Sequence, residues 1–176
     1  LVATFLMGSK KLYDFVHKNP NVKMFPANYV NNPIIISKNH KMVSINSCLE
    51  IDLMGQVVAE SIGPKQISGV GGQVDYIRGV CMSKNGKSII AMPSTAAGGK
   101  VSRIMPELTA GSAVTTSRND VRYVVTEFGI ADLWGKTLKQ RAMSLIQIAH
   151  PKFRPLLIDA FEKKYSVSNQ LQTLKQ

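Results

Sequence analysis

The hydrophobic spacing of this 176-residue chain changes near Gly129, and that change limits the possible folds more than any other feature. Before it, short apolar runs with a period of two predict strands such as 42–45 and 121–127. After it, apolar residues recur every three to four positions, which predicts helices over 138–149 and 155–164. Many strands followed by helices predict an α/β domain, with an open mixed sheet flanked by helices and no regular alternation of strand and helix.

Two turn predictions refine this picture. The string Lys-Asn-Gly-Lys at 84–87 is typical of a β-hairpin and predicts that 80–82 and 88–92 pair as its two strands. Residues 130–133 read as a short turn between the last strand and the helices.

The chain predicts one domain over residues 1–165 and a frayed polar tail over 166–176. It lacks an initiator methionine and opens inside a predicted strand, so we expect further chain to precede it. No stretch approaches the roughly 20 apolar residues of a membrane span, and no secretory leader is visible. We therefore predict a cytoplasmic protein, or a mitochondrial one in a eukaryote, that does not act at a membrane.

The charge is strongly basic, with 22 Lys and Arg against 11 Asp and Glu, a formal net charge of +11. Nucleic acid, an anionic membrane surface and a polyanionic small molecule are the three partners such a charge favours. The basic residues are dispersed and form only pairs, such as 10–11 and 163–164. A dispersed excess fits a phosphate-rich cofactor at least as well as a nucleic-acid groove, while an ordinary solvated surface explains most of the lysines.

Cysteine and histidine usage excludes two kinds of site. Cys48 and Cys81 have apolar neighbours, which predicts two buried free thiols in a reducing compartment rather than a disulfide framework. His17, His40 and His150 are scattered, with no ligand at metal-binding spacing, so no metal site is predicted.

Two strings fall short of the phosphate-binding motifs that they resemble. The dinucleotide fingerprint would need Gly or Ala three positions after Gly71, where Val74 stands. The P-loop would need glycine five positions before Gly135, where Ile130 stands. No Gly-x-Ser-x-Gly elbow of a serine hydrolase occurs either.

Two loops rich in small residues carry the chemistry. The string Ser-Gly-Val-Gly-Gly-Gln-Val-Asp at 68–75 lets a ligand lie against main-chain N–H groups, which can hold a thioester oxygen as negative charge develops on it. A sharp turn between strands is the equally balanced alternative. The string Pro-Ser-Thr-Ala-Ala-Gly-Gly-Lys at 93–100 ends in Lys100, a point charge for a phosphate, unless the loop is a plain connection.

Acidic residues near strand ends are the remaining candidates. Glu127 closes an apolar strand, where a carboxylate often faces a crevice, although a surface strand end is the alternative. Glu50, Asp52 and Glu60 alternate with apolar residues and predict an ordinary exposed strand face.

Five strings, in order, resemble the C-terminal domain of the acetyl-CoA hydrolase/transferase family, among the family I CoA-transferases. They are Met-Gly-Ser-Lys-Lys-Leu-Tyr-Asp-Phe at 7–15, Asn-Ser-Cys-Leu-Glu-Ile-Asp-Leu-Met-Gly-Gln at 46–56, the 68–75 string, Met-Pro-Ser-Thr-Ala-Ala at 92–97, and Val-Thr-Glu-Phe-Gly-Ile-Ala-Asp-Leu at 125–133. The resemblance is strongest to 4-hydroxybutyrate and butyrate:acetate CoA-transferases and extends from the first residue to about Tyr165. It implies a CoA-transferase-like α/β fold.

The resemblance also implies an activity. A glutamate attacks an acyl-CoA, and CoA passes to a free carboxylate such as acetate through a glutamyl-CoA thioester. The family places that glutamate in a Ser/Thr-Glu-Met-like string upstream of where this chain begins, and no such string occurs here. We therefore expect this chain to be inactive alone. The resemblance further implies no permanently bound cofactor, CoA or acyl-CoA and small carboxylates as substrates, an N-terminal domain as partner, and a homo-oligomer.

The resemblance implies three catalytic positions, Gly72, Asn31 and Glu127, and implies that Gly71 and Gly72 also bind CoA. Gly72 matches the glycine whose N–H contributes to the oxyanion site, and Gly71 supports its turn. Asn31, in the Val-Asn-Asn-Pro string, matches an active-site asparagine. Glu127 matches an active-site carboxylate that supports the substrate or nucleophile and is not itself acylated.

CoA-binding positions follow in the same way, with one exception. The main chain near Cys48 and Ala97 matches positions that contact CoA, whereas Lys100 is added from the chemistry of its own loop. Two other functions stay open: a CoA hydrolase of the same family, in which water takes the final group, and a non-catalytic basic binding module.

Overall fold

The computed structural model describes residues 1–165, in which runs of short strands are separated by helices. The helices are α1 Lys10–Val16, α2 Ala27–Val30, α3 Pro33–Ser37, α4 Gln73–Met82, α5 Leu138–Gln147 and α6 Arg154–Tyr165. The strands are β1 Val2–Ala3, β2 Lys23–Met24, β3 Val43–Asn46, β4 Glu50–Asp52, β5 Val57–Val58, β6 Ser61–Ile62, β7 Lys65–Gln66, β8 Lys87–Ala91, β9 Thr95–Ala96, β10 Val101–Ser102, β11 Ile104–Met105, β12 Tyr123–Thr126 and β13 Gly129–Asp132. The tail predicted for 166–176 lies outside the described residues.

The central sheet has the strand order β13-β12-β8-β3. β3, β8 and β12 are parallel, and β13 pairs with β12 in the antiparallel direction. α4 packs on β8 and β3, while α5 packs on β13 and α6. The mixed sheet flanked by helices confirms the predicted fold class, and α5 and α6 confirm the two predicted helices.

Small polar residues and one glycine fix how the helices begin and how closely they pack. The Asn32 side chain caps α3 by accepting a hydrogen bond from the Ile34 N–H at 2.9 Å. A Cβ added to Gly79 of α4 would lie 2.6 Å from the Cβ of Ile36, so only glycine lets α3 approach α4 this closely. This packing places the α2–α3 connection beside α4. Within residues 1–165, no helix is long and apolar enough to cross a membrane.

The hairpin predicted between 80–82 and 88–92 is wrong. Residues 80–82 complete α4, whose Ile77 and Val80 are almost fully buried at helical spacing. β8 then pairs with parallel neighbours, so α4 forms the crossover that leads into β8, with β4 to β7 inserted between β3 and α4. The chain as a whole lacks a regular alternation of strand and helix, as predicted. The Asn-Gly signal does mark a turn, with Asn85 at φ 60°, but that turn joins a helix to a strand.

The turn predicted at 130–133 is also wrong, because most of this segment belongs to β13. The antiparallel pairing of Thr126 with Gly129 makes β12 and β13 a tight hairpin. Gly129 has φ +142°, a value that side chains disfavour. The hairpin of the central sheet therefore joins β12 and β13, and not the two segments on either side of the Asn-Gly signal.

The three acidic residues of the presumed exposed face are largely withdrawn from solvent, which corrects that prediction. Asp52 is 1% exposed and accepts a main-chain hydrogen bond from Gln56 at 2.8 Å. Glu50 accepts hydrogen bonds from the main chain and hydroxyl of Thr109 at 3.0 and 2.7 Å. Glu60 is 6% exposed. Asp52 and Glu50 stabilise loops around the second sheet, β11-β4-β5, a role that alternation with apolar residues does not reveal.

The cysteines differ from each other. Cys48 is buried as predicted, and its burial raises the pKa of the thiol to about 12. Cys81 is exposed on α4, so the prediction of a second buried thiol is wrong.

Replacing Arg141 with alanine is expected to lower the free energy of unfolding by roughly 3 kcal/mol, because it leaves buried carbonyls unpaired. Arg141 is 7% exposed and donates to the carbonyls of Met54, Leu133 and Arg118 at 2.8, 2.8 and 2.9 Å. Urea unfolding measures the change. Arg118→Ala is the matched control, since that side chain is exposed and its expected effect is within about 0.5 kcal/mol. Equal losses in the two variants would contradict this role of Arg141.

Candidate active site

One edge of the central sheet collects polar groups from several elements. Because β3, β8 and β12 are parallel, their carboxyl ends meet at one edge. Asn46 ends β3, Ser94 follows β8, and Glu127 comes directly after β12. α4 runs back from this edge to the start of β8, so Gly72 at its N-terminus lies there too. Crevices at the carboxyl ends of parallel strands are the usual ligand sites of open α/β sheets.

The glycine loop leaves an uninterrupted run of amide groups unpaired. Its start is fixed where the N–H groups of Ile67 and Ser68 donate to the Glu60 carbonyl at 2.8 and 3.2 Å. From 69 to 75, no main-chain N–H donates a hydrogen bond to any group within the described residues. Gly72 occupies the N-cap position of α4, where the free N–H groups carry a partial positive charge. The loop can therefore bind a negatively charged oxygen.

Asn31 lies directly against Gly72. A Cβ at position 72 would lie 2.5 Å from the Asn31 Nδ2, so a larger residue would push this amide out of its present position. The Asn31 side chain makes no hydrogen bond with any other group among residues 1–165, although its main-chain N–H is bonded to the Ala27 carbonyl. Both atoms of the amide are thus available to a ligand.

The two groups share one open cavity of about 370 Å³, which we call the glycine cavity. Its lining is Val2, Ala3, Thr4, Phe5, Val30, Asn31, Asn46, Gly72, Gln73 and Tyr76. The structure thus brings together Asn31 and Gly72, which lie far apart in sequence. Asn46 and Tyr76, which the sequence analysis did not single out, line the same cavity. Gly71 does not line this cavity, and its φ of +62° fits a residue that shapes the turn.

Glu127 is a hydrogen-bonded carboxylate on the same sheet edge. Its Oε1 accepts from the Ser94 hydroxyl at 2.5 Å, and its Oε2 accepts from the Ser94 N–H at 2.8 Å. The Ser94 hydroxyl is the main cause that lowers the pKa of Glu127, with a smaller contribution from nearby His150. Glu127 is therefore ionised at neutral pH. It is exposed and does not line the glycine cavity.

Three of the predicted CoA-binding positions, Cys48, Ala97 and Lys100, lie apart from the glycine loop. Ala97 and Lys100 are exposed in the loop between β9 and β10, with Ala97 at φ 51°. The Cys48 side chain is buried, and its carbonyl accepts a hydrogen bond from Arg103 Nη1 at 2.7 Å. Arg103 lines a cavity of about 230 Å³ between these two segments. The full lining of that cavity is Leu49, Glu50, Ser61, Ile62, Ala96, Val101, Ser102, Arg103, Met105 and Thr109.

Three site residues were missed by the sequence analysis. Asn46 carried a usable signal, because a polar residue at the end of an apolar strand often faces a crevice. Tyr76 lies one helical turn after Gly72, in the segment 73–80, whose sequence does not distinguish a short helix from a loop. Ser94 pairs with a residue 33 positions away, a contact that no local pattern indicates. Among residues 1–165, no group of three His, Cys, Asp or Glu side chains is placed to hold a metal ion.

Comparison with known proteins identifies the family. Residues 8–161 match the acetyl-CoA hydrolase/transferase C-terminal domain. The chain is 66% identical over 165 residues to a 4-hydroxybutyrate coenzyme A transferase of Clostridium kluyveri, which covers 94% of this chain and 38% of that protein.

Solved structures show the same relationship. The crystal structure of RipA from Yersinia pestis superposes with a TM-score of 0.87 at 46% identity, covering 93% of this chain and 37% of that one. A 4-hydroxybutyrate CoA-transferase from Porphyromonas gingivalis superposes with a TM-score of 0.79 at 49% identity, covering 94% and 38%. The chain thus spans less than two fifths of the length of these relatives. It belongs to the acetyl-CoA hydrolase/transferase family, as a C-terminal domain of that family.

Proposed function

We propose that this chain is the C-terminal part of a CoA-transferase that moves CoA between an acyl-CoA and a free carboxylic acid. Substrates of the 4-hydroxybutyryl, butyryl or acetyl type fit the names of its relatives. The nucleophilic glutamate comes from preceding chain, and the complete protein is a homo-oligomer.

The run of free amides around Gly72 is the observation that supports this proposal most strongly. Attack on a thioester moves negative charge onto its carbonyl oxygen, and preorganised N–H donors stabilise that charge. The Gly72 N–H, with the free amide of Asn31 against it, meets this need inside an open cavity. Gly72 is the N-cap of α4 and the Asn31 amide lies against it, so both donors are already beside the position where the charge develops.

The reaction then balances without an external cofactor. The glutamate carboxylate attacks the thioester carbon, the carbon–sulfur bond breaks, and CoA leaves as the thiolate. The thiolate attacks the glutamyl carbonyl of the resulting anhydride, which releases the first acid and forms a glutamyl-CoA thioester. A second acid takes CoA by the reverse steps. Glu127 remains ionised and unacylated throughout, as an acceptor that orients the substrate or the nucleophile.

In this proposal, CoA binds along the segments that contain Cys48, Ala97 and Lys100. The Cys48 carbonyl accepts a hydrogen bond from Arg103, and Leu49 and Ala96, the sequence neighbours of Cys48 and Ala97, line the same cavity as Arg103. Lys100, exposed at the end of the same loop, supplies a charge for a CoA phosphate.

Supplying the preceding chain is expected to switch activity on. We would fuse residues 1–176 behind the preceding portion of the Clostridium kluyveri relative, a product called here the joined enzyme. The joined enzyme is expected to exchange CoA between butyryl-CoA and acetate, whereas residues 1–176 alone give no turnover. Exchange by the chain alone would show that the nucleophile is already present. A folded but inactive joined enzyme would contradict the proposed function.

A CoA hydrolase is the second candidate, because the matched family includes both activities and the same amides serve either one. The joined enzyme distinguishes them when thioester transfer to acetate is compared with release of free acid. Transfer is expected to dominate. The third function left open is a non-catalytic basic binding module. Steeply salt-dependent binding to nucleic acid, without competition by CoA, would support that function and contradict the proposed one.

A further inference from the structure

We propose that Tyr76 forms the end wall of the acid-binding pocket and thereby limits the chain length of the acids that the enzyme accepts. The inference rests on the proposed function and adds a specificity-determining residue to it. It starts from the placement of Tyr76 between two cavities.

Tyr76 lies on the same face of α4 as Gly72, one turn further along. Its main-chain N–H donates to the Gly72 carbonyl at 3.0 Å. Four residues of an α-helix advance by about 6 Å. An acyl group whose carbonyl oxygen is held at Gly72 therefore meets the Tyr76 ring after a few carbon atoms.

A second cavity of about 270 Å³, which we call the apolar cavity, shares Tyr76 with the glycine cavity. Its lining is Val2, Tyr29, Val30, Ile35, Ile36, Asn39, Met42 and Tyr76. Val2, Val30 and Tyr76 line both this cavity and the glycine cavity. Tyr76 has by far the largest side chain of the three, so it makes the main partition.

The chemistry of the two cavities differs across this partition. The glycine cavity presents the amides of Asn31 and Asn46, which suit the polar end of an acyl group. The apolar cavity is lined mainly by aliphatic side chains, which suit additional methylene groups. The Tyr76 hydroxyl makes no hydrogen bond with any group in the described part of the chain, so no polar contact opposes its replacement. Removing the ring joins the two spaces.

The test compares butyrate and hexanoate as CoA acceptors for the joined enzyme. Tyr76→Ala is expected to raise the hexanoate-to-butyrate ratio of kcat/KM by roughly tenfold or more, since a single methylene in an apolar pocket already changes this ratio by about that factor. Tyr76→Phe keeps the ring and is the matched control, with an unchanged ratio. Tyr76→Trp enlarges the wall and is expected to raise the acetate-to-butyrate ratio instead.

The outcomes separate this inference from the proposed function. Transfer by the unmodified joined enzyme, with the same length preference in the alanine and tryptophan variants, would overturn the role of Tyr76 and leave the function intact. No transfer by the unmodified enzyme to any of the three acids would overturn both. If thermal unfolding shows that the alanine variant does not fold, the acetate-to-butyrate ratio of the tryptophan variant alone tests the role of Tyr76.

Discussion

Replacing Gly72 with alanine is expected to lower kcat for CoA transfer by the joined enzyme roughly 100- to 1,000-fold, the usual cost of losing an oxyanion donor. The added Cβ would lie 2.5 Å from Asn31 Nδ2 and must displace that amide from the loop. The fold is expected to survive, because Gly72 has φ −96°, a value that alanine can adopt. Steady-state kinetics together with thermal unfolding separates lost catalysis from lost structure.

Gly69→Ala is the matched control for this experiment. A Cβ at position 69 meets no atom within 4 Å, and no positive φ requires glycine there. It changes the same loop without displacing Asn31, so activity close to the unmodified level is expected. Equal losses at positions 69 and 72 would mean that the loop needs flexibility rather than the Gly72–Asn31 contact.

Replacing Glu127 with glutamine is expected to lower kcat/KM by roughly 100-fold or more, in the range typical of removing a catalytic carboxylate. Glutamine keeps the size of the side chain but removes the negative charge that the two Ser94 donors hold in place. Steady-state turnover of acyl-CoA by the joined enzyme, with and without the substitution, measures this change in kcat/KM. Activity within a few-fold of the unmodified enzyme would exclude Glu127 from the reaction.

Replacing Ser94 with alanine tests Glu127 without removing its charge, because it is expected to shift the pH dependence of kcat/KM. The Ser94 hydroxyl stabilises the ionised form of Glu127 and lowers its pKa, so removing it raises the pKa. If the ionised form is the active one, the acid limb of the kcat/KM profile moves to higher pH. The Ser94 N–H remains as a donor, so the limb moves without activity being abolished.

The elements with strong periodicity were predictable, and the way they pair was not. The 138–149 and 155–164 patterns gave helices α5 and α6 because a continuous apolar stripe determines the buried face. The Asn-Gly turn at 85–86 was recognised, but its local preference for positive φ does not say which elements it joins. The element before that turn was predicted as a strand at 80–82, whereas it is the end of helix α4, whose apolar stripe is short.

Several residues of the candidate site were named from the sequence, whereas their contacts could not be predicted. The resemblance pointed to Asn31 and Gly72, and the glycine-rich string gave an independent physical reason for Gly72. Their meeting depends on α3 packing closely on α4, which in turn depends on Gly79. Ser94 and Tyr76 reach the site only through the parallel pairing of the sheet and the pitch of α4. Such long-range placements are set by packing and leave no mark on neighbouring sequence.

The buried acidic residues show why a local pattern misleads. Glu50, Asp52 and Glu60 alternate with apolar residues as the polar face of a strand does, yet all three lie in the interior or at its edge. Two of them accept hydrogen bonds from loop residues, and Glu60 contributes its main-chain carbonyl to the base of the glycine loop. Burial of this kind follows from loops that fold over the strand.

A crystal structure of the joined enzyme with an acyl-CoA bound tests the central claim most directly. The account predicts the thioester carbonyl oxygen about 2.7–3.1 Å from the Gly72 nitrogen, with the Asn31 amide beside it. A thioester bound elsewhere, with the amides of 69–75 paired to the preceding part of the chain, would contradict it.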